Sequence, residues 1–460
     1  MRVKIVDCDL ISRTNHRFPN LACMKISGYH KKRRDRVELV TDFNSIGKYD
    51  LLWVAKVFTS SWIPDGLLNM PNTIDGGSGF YFDQSPNLPP EIEHHFPDYH
   101  LYDKWIEQQI QNGKKAKEFE YYTEYSIGRL TRGCFRRCSF CINRTAKKVE
   151  FASHVSEFLD CNRPYICLID DQFLGYKDWG PLLDELIQTG KPFQFKQGND
   201  VRCLRKEQAE KLATANYHRE MIFAYDRIED TAIITRKLHL WRKYSDMPTK
   251  LYVLCAYDPS GTYSREFWVK DIVDTFRRIF ILATLNCLPY IMRYEEYHNS
   301  PFRGIYNNIG AWVNQPEMLK TKTFRQFSIQ RGISSTVYNT YKDDPEQYIK
   351  DGYKKGISWL CLDDLTKQFP SIADMFFDVK YGEHFNEQII NIPITNRKVN
   401  KEKYKINTTM LRCRVDSKKL CLLKEIYGNL TNTQLIDRLI NEKVKEAFST
   451  KATERLDWKE

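Results

Sequence analysis

Apolar and polar positions fall into two textures along the chain. Over residues 1–100, "VKIVDC" (3–8), "RVELV" (36–40) and "LLWVAKVF" (51–58) are short runs dominated by apolar and β-branched residues, the pattern of strands. Between the first two, "PNLACMKISGYHKK" (19–32) spaces its apolar residues at helical intervals, with Pro19 where a helix can begin, and "DGGSG" (75–79) reads as a tight turn. The pattern predicts a small α/β unit with an open, largely parallel sheet over 1–100, followed by a polar, Tyr-rich connector with one helix over 101–124.

From 125 to 315 the texture repeats more regularly. Candidate strands are "SIGRLT" (126–131), "YICLID" (165–170), "FQFKQGNDV" (193–201), "MIFAYD" (221–226), "LYVLCAYD" (251–258) and "PYIMRY" (289–294). Helical candidates between them are "ASHVSEFLD" (152–160), "WGPLLDELIQT" (179–189), "KEQAEKLATA" (206–215), "EDTAIITRKLHLWRK" (229–243) and "FWVKDIVDTFRRIFILATL" (267–285). Repeated βα units imply parallel strands with right-handed crossovers, hence a barrel or part of one, with chemistry gathered at the C-terminal strand ends. Residues 316–460 break the alternation and read as a helical accessory region: "ISWLCLDDLTKQF" (357–369) and "CLLKEIYGNLTNTQLIDRLINEKVKEAF" (421–448) as helices, "NRKVNKEKYK" (396–405) as a charged connector.

Length and charge narrow the setting. A chain of 460 residues exceeds one ordinary core and predicts two or three domains. No run of roughly 18 apolar residues appears and charges interrupt the first apolar stretch, so neither a spanning helix nor a secretory signal is expected, and the reading is a cytoplasmic protein away from membranes. Thirteen scattered cysteines, an odd number, argue for reduced thiols rather than a disulfide framework. Seventy Lys and Arg against 59 Asp and Glu give +11, which favours anionic partners, nucleic acid among them, although solvated charged faces produce the same balance. "HKKRRDR" (30–36) is the densest basic run and reads equally as the end of an exposed helix, with His30 a surface residue.

The candidate chemistry lies in "LTRGCFRRCSFCINR" (130–144), which places Cys134, Cys138 and Cys141 within eight residues. A structural zinc site wants four closed ligands, and this segment offers three thiols with no nearby histidine. Three close thiolates suit an iron–sulfur cube with one iron left open to a small molecule. Gly133 lets the backbone bend, and Arg132, Arg136 and Arg137 offset the negative charge of cluster and thiolates. Three unligated cysteines in a polar, Arg-rich loop fit poorly, since free Cys behaves as a small buried hydrophobe. Cys361 is isolated, and Cys413 and Cys421 are too far apart for a ligand pair, so no auxiliary cluster is expected.

Other strand ends carry polar groups. Asp170, Asp171 and Gln172 end the second strand, either as ligand groups or as an acidic turn capping a helix. Gln197, Asn199, Asp200 and Arg202 cluster at the third, where burial without partners is costly. Asp226 and Arg227 close the fourth, as a site or as an ion pair on the rim; Arg293, Glu295 and Glu296 follow the sixth.

The CxxxCxxC spacing, with Phe140 before the last cysteine and a strand before the loop, resembles the signature of the radical S-adenosylmethionine superfamily. "LIDDQFL" (168–174), "FKQGNDVRCL" (195–204), "FAYDRIED" (223–230) and "PYIMRY" resemble strand ends of a subgroup of uncharacterised radical enzymes, as do "PNLACMKISGYHKKRRD", "GGSGFYF" and "PDYHLY", so the similarity covers about residues 1–325. It implies a partial (βα)6 TIM-type barrel in which Cys134, Cys138 and Cys141 ligate a [4Fe–4S] cluster and S-adenosylmethionine chelates the unique iron. Asp170, Asp171, Gln172, Gln197, Asn199, Asp200, Arg202 and Asp226 are then the expected cofactor-binding positions. It further implies reductive cleavage to a 5′-deoxyadenosyl radical and a flavodoxin- or ferredoxin-type reductant. The substrate is unidentified: a nucleic-acid base is favoured by charge and by resemblance to methylthiotransferases, with a peptide or small metabolite competing. The first unit resembles the cobalamin-binding-like domain of such enzymes, but its DxHxxG element is absent, since His30 stands in "GYHKKRRD"; cobalamin stays open. The alternative is a non-enzymatic iron–sulfur protein for electron transfer or redox sensing, which should need a closed four-thiolate site.

Overall fold

The computed structural model describes residues 1–383, all within one compact unit. The predicted helix 421–448, the connector 396–405, Cys413 and Cys421 lie outside the described residues. The described chain is mixed α/β with parallel sheets, and none of its helices is long and apolar enough to cross a membrane.

Strands β1 (Arg2–Asp7), β2 (Arg36–Val40), β3 (Leu51–Ala55) and β4 (Thr73–Gly76) form a parallel sheet in the order β2-β1-β3-β4. Alternation along β1 sends Val3 and Ile5 to one layer, with Cys23, Met24 and Ile26, and Val6 to the other, with Val40, Leu52 and Val54. The helix Leu21–Lys32 begins two residues beyond Pro19, because Asn20 is the cap: its Oδ1 accepts from Ala22 N at 3.1 Å and Cys23 N at 3.3 Å. The segment read as a turn at 75–79 is strand through Gly76. Gly77 (φ 111°), where a Cβ would lie 2.2 Å from the Lys56 carbonyl oxygen, is a single bend that caps a one-turn α-helix, Ser78–Tyr81, so the expected turn is shared between strand and helix. The expectation of a surface His30 is corrected: it is 3% exposed, with Nδ1 2.8 Å from Asp35 Oδ2 and Nε2 accepting from Trp53 Nε1 at 3.1 Å.

All six expected strands of the second region are present, five of them shorter than their segments and the last shifted by one residue. They are β5 (Tyr125–Gly128), β8 (Tyr165–Leu168), β9 (Phe193–Phe195), β10 (Met221–Ala224), β11 (Thr249–Cys255) and β12 (Leu288–Arg293); between β5 and β8, β6 (Thr131–Arg132) pairs antiparallel with β7 (Glu150–Phe151). β5-β8-β9 and β10-β11-β12 are each parallel, and the isolated parallel bridges Phe193↔Tyr217 and Asn199↔Phe223 lie between them. β9 is short because the chain changes partner. Lys196 N donates to Leu168 O on β8 (2.8 Å), whereas Asn199 N donates to Ile222 O (3.2 Å) and Asn199 O accepts from Ala224 N (3.0 Å) on β10.

Helices Trp179–Gln188, Lys206–Thr214, Thr231–Arg242 and Arg265–Thr284 match their patterns and bury Leu183, Leu212, Trp241 and Phe276 against strand residues Leu168, Phe195, Phe223 and Val253. The predicted helix 152–160 is instead a single 3₁₀ turn, Val155–Glu157. Phe158 is drawn beneath β5, where Gly128 leaves room for its ring, and Val155 N bonds Glu185 Oε1 at 2.8 Å rather than a helical carbonyl. Short helices dominate 316–383, including Ile357–Gln368 as expected.

Candidate metal centre at the strand ends

The β6–β7 ribbon closes the base of a loop, 133–149, that carries the three cysteines. Gly133 starts the bend with φ 87°; a Cβ there would lie 2.8 Å from the Lys148 carbonyl oxygen, and its N donates to Asp171 Oδ2 at 2.8 Å. Consecutive turns follow, with Cys141 N donating to Cys138 O (2.9 Å) and Arg144 N to Cys141 O (3.1 Å). Backbone N–H groups point at two sulfurs: Arg136 N lies 3.4 Å from Cys134 Sγ and Asn143 N 3.4 Å from Cys141 Sγ. Such donors favour thiolate over thiol.

All three thiols are free and half-buried. Burial pushes Cys134 up to about 11 and raises Cys138 and Cys141 above their ordinary value. Cation binding must therefore displace protons from them. Among the described residues no three His, Cys, Asp or Glu side chains converge tightly enough to hold a single metal ion. A cube places each thiolate on a different iron, so it suits three thiols spread over one loop where a mononuclear site does not.

The loop is fastened from several strand ends. Phe135 packs on Gly175, where a Cβ would stand 2.7 Å from its ring. Phe140 meets Tyr257 edge to face at 5.3 Å, and the Tyr257 hydroxyl donates to Ser139 Oγ at 2.6 Å. Arg136 forms an ion pair with Asp200, and Arg144 Nε bonds Asp83 Oδ2 at 2.6 Å. The thiols thus stand where β8, β9 and β11 end.

The other expected positions divide into engaged and open groups. Asp170 is fully buried; its oxygens accept from Leu130 N (3.2 Å), Thr131 N (2.6 Å) and Thr131 Oγ1 (2.7 Å), fixing the entry to β6, and burial pushes its carboxyl up to about 7. Gln172 Oε1 accepts from Asp200 N at 2.9 Å, and its Nε2 lies 3.3 Å from Cys203 Sγ. Asn199 is buried, with Oδ1 3.4 Å from Leu174 N. Asp200 accepts from Arg202 at 2.7 and 3.0 Å as well as from Arg136. Burial acts to raise its carboxyl, but the two guanidiniums outweigh it and hold the group below its ordinary value. Arg202 also donates to Asp230 at 2.5 Å.

Gln197 is exposed, and its side chain bonds no described residue. Asp226 is half-buried, and its carboxylate bonds no described residue. Burial pushes it up to about 6 against the pull of Arg278 and Arg202, and it acts on both Cys138 and Cys141. The Asp226–Arg227 rim pair is not formed: Arg227 lies 3.8 Å from Glu229 instead. Sequence reasoning missed Tyr257, Cys203 and the pairing of Arg136 with Asp200. Arg136 was visible as charge in the loop; nothing in the pattern marked the other two.

No family model matches the chain, and no curated protein matches it. Among solved structures it is similar to the radical S-adenosylmethionine methyltransferase TsrM from Kitasatospora setae with tryptophan substrate and an S-adenosylmethionine analogue bound. That match has 12% identity and a TM-score of 0.42, covering 68% of this chain and 77% of that one. The same enzyme with cobalamin and a [4Fe–4S] cluster gives 12% and 0.41, covering 64% and 75%. The cobalamin-dependent S-adenosylmethionine radical enzyme OxsB with aqua-cobalamin gives 12% and 0.30, covering 76% and 56%.

Proposed function

We propose that the chain is a radical S-adenosylmethionine enzyme in which Cys134, Cys138 and Cys141 hold a [4Fe–4S] cluster. In this reading β5 and β8–β12 with their helices form a partial (βα)6 barrel, residues 1–100 a small open-sheet α/β domain packed in the same compact unit and 101–124 the connector. The observation that carries the reading is the delivery of three half-buried thiols by one loop to the C-terminal ends of parallel strands. Cys203, also at this end, is engaged by Gln172 and Arg136, which leaves the loop a three-thiolate donor set. When bound, such a cluster supplies one electron to S-adenosylmethionine, giving methionine and a 5′-deoxyadenosyl radical that takes a hydrogen atom from substrate.

The chain's own residues then have distinct tasks. Gly133 and Asp171 set the bend of the loop, and the Asp200 ion pair with Arg136 ties it to β9. Asp170 and Asn199, whose oxygens bond backbone N–H groups, act as supports. Asp226 and Gln197 retain hydrogen-bonding capacity for the ammonium and ribose of the cofactor. Cobalt ligation by His30 does not fit, because both ring nitrogens are engaged. A nucleic-acid base is the substrate class that the +11 balance favours, with a peptide or small metabolite as competitor and an acidic flavodoxin- or ferredoxin-type donor as reductant.

The test is anaerobic reconstitution, reduction and assay of 5′-deoxyadenosine. Wild type should release it. Cys134→Ala, Cys138→Ala and Cys141→Ala should lose both the brown absorbance and the product, while Cys361→Ala keeps both. Full cluster content in Cys138→Ala would overturn the assignment.

A further inference from the structure

We propose that Arg293 and Arg331 form a notch that binds an oxyanion, and, resting on the function above, that the oxyanion is the carboxylate or phosphate of the substrate. Arg293 ends β12. Its Nη1 donates to Asn307 Oδ1 and its guanidinium lies 4.6 Å from the Tyr297 ring centroid. Gly310, on the same helix as Asn307 (Arg303–Val313), leaves space for this side chain: a Cβ there would lie 3.4 Å from Arg293 Nε. Arg331 arrives from the end of the helix Phe324–Gln330 and donates to Asn307 O at 3.3 Å and Asn308 Oδ1 at 2.9 Å.

The platform beneath the two cations is built rather than incidental. Asn308 is 2% exposed, and Ser358 fixes its amide from both sides: Asn308 Nδ2 donates to Ser358 O (3.1 Å) and Ser358 Oγ donates to Asn308 Oδ1 (2.8 Å). The acceptors that meet the guanidiniums are neutral amide oxygens. Glu296, on the turn after β12, bonds Asn299 at 2.6 Å instead. Burial, and then the charge of Arg293, pull Arg331 below its ordinary value, and no acid among the described residues offsets them.

Two like charges held beside one pair of asparagines repel, and an oxyanion between them relieves that repulsion while meeting two planar donor forks. In sequence the notch is next to a residue that packs beside the cysteine loop. Arg293 is followed by Tyr294, whose ring lies 4.8 Å from that of Tyr257, the residue bonded to Ser139.

The experiment measures equilibrium binding of inorganic phosphate and of succinate to the full-length chain, without cluster, at low ionic strength. Wild type should bind at least one probe saturably, and Arg293→Gln and Arg331→Gln should each weaken it by about tenfold or more. Asn307→Asp keeps the side-chain shape but sets a carboxylate beside Arg293; it should abolish binding and raise the melting temperature, which separates loss of the site from loss of the fold. Preference for phosphate indicates a phosphate-bearing substrate and preference for succinate a carboxylate-bearing one, and either supports the notch. Absence of saturable binding of both probes to wild type, or binding that survives in all three variants, overturns it. Because no cluster is present, failure here leaves the deoxyadenosine assay standing, and failure there leaves this result standing.

Discussion

The C-terminal ends of the first sheet and of β5–β12 are built from similar residue types and put to opposite uses. In the first sheet, Asp7 accepts from Leu10 N (3.3 Å) and Tyr102 OH (2.8 Å), and Asp9 accepts from Val57 N (2.7 Å), Phe58 N (3.2 Å) and Ser61 Oγ (2.5 Å). Both oxygens of each of these two carboxyl groups are engaged by the fold itself. At the other strand ends three thiols and Asp226, all half-buried, keep binding capacity beside groups, such as Asp170, that are fully engaged. Saturated polar groups mark a scaffold, and half-buried unsaturated ones mark a site, because burial without partners is retained only where something else supplies them.

The sharpest way to break this contrast is at the bend of the cysteine loop. Gly133→Ala meets both a positive φ and the Lys148 carbonyl, so iron incorporation should collapse. Gly190→Ala, at φ 68° with nothing within 4 Å of its Cβ, should load normally and lose only about 1–2 kcal/mol of stability. Normal iron content in Gly133→Ala would show that the turn does not set the site.

The scaffold side predicts a pH effect. Burial, opposed by the Tyr102 hydrogen bond, raises Asp7 from 3.8 to about 7. The folded state therefore holds a proton that the unfolded chain has released, so stability is full below about pH 4, falls as pH rises to about 7 and then levels, by at most about 4 kcal/mol. Asp7→Asn should flatten that slope in denaturant titrations across the range; an unchanged slope would remove Asp7 from the account.

A smaller effect is expected where the two sides meet. Asp200→Asn weakens the hold on Arg136 and Arg202 by about 1.5–3 kcal/mol, so the cluster should load but be lost faster on chelator challenge. Equal loss rates would place Asp200 outside the support of the loop. The smallest effect concerns the basic run. Lys31 is tied to Asp98 at 2.6 Å and Arg33 lies over Tyr29, which leaves Lys32, Arg34 and Arg36 to meet phosphates. Replacing these three by Ala should flatten the salt dependence of RNA binding by about two to three units, and absence of binding at about 50 mM salt would favour the peptide or metabolite substrate.

Strand positions were legible because apolar runs bounded by polar residues are local signals: β8 and β10 lie inside their predicted segments, and β11 and β12 overlap theirs but begin two residues and one residue earlier. What failed was set by distant partners. The predicted helix 152–160 lost to the burial of Phe158 beneath Gly128, and "FQFKQGNDV" was cut short by the switch from β8 to β10. The cysteine triad was legible from spacing alone. The engagement of Asp170 by Thr131, and the meeting of Arg293 with Arg331 on Asn307 and Asn308, join residues whose separation in sequence carries no periodic signal.

The central claim is that the three thiols hold a cluster with one iron open to S-adenosylmethionine. Electron paramagnetic resonance of the reduced, reconstituted protein tests it most directly. The account predicts a [4Fe–4S] signal whose g-values shift when S-adenosylmethionine is added. A signal unchanged at saturating S-adenosylmethionine, from a cluster that is fully loaded, would contradict it.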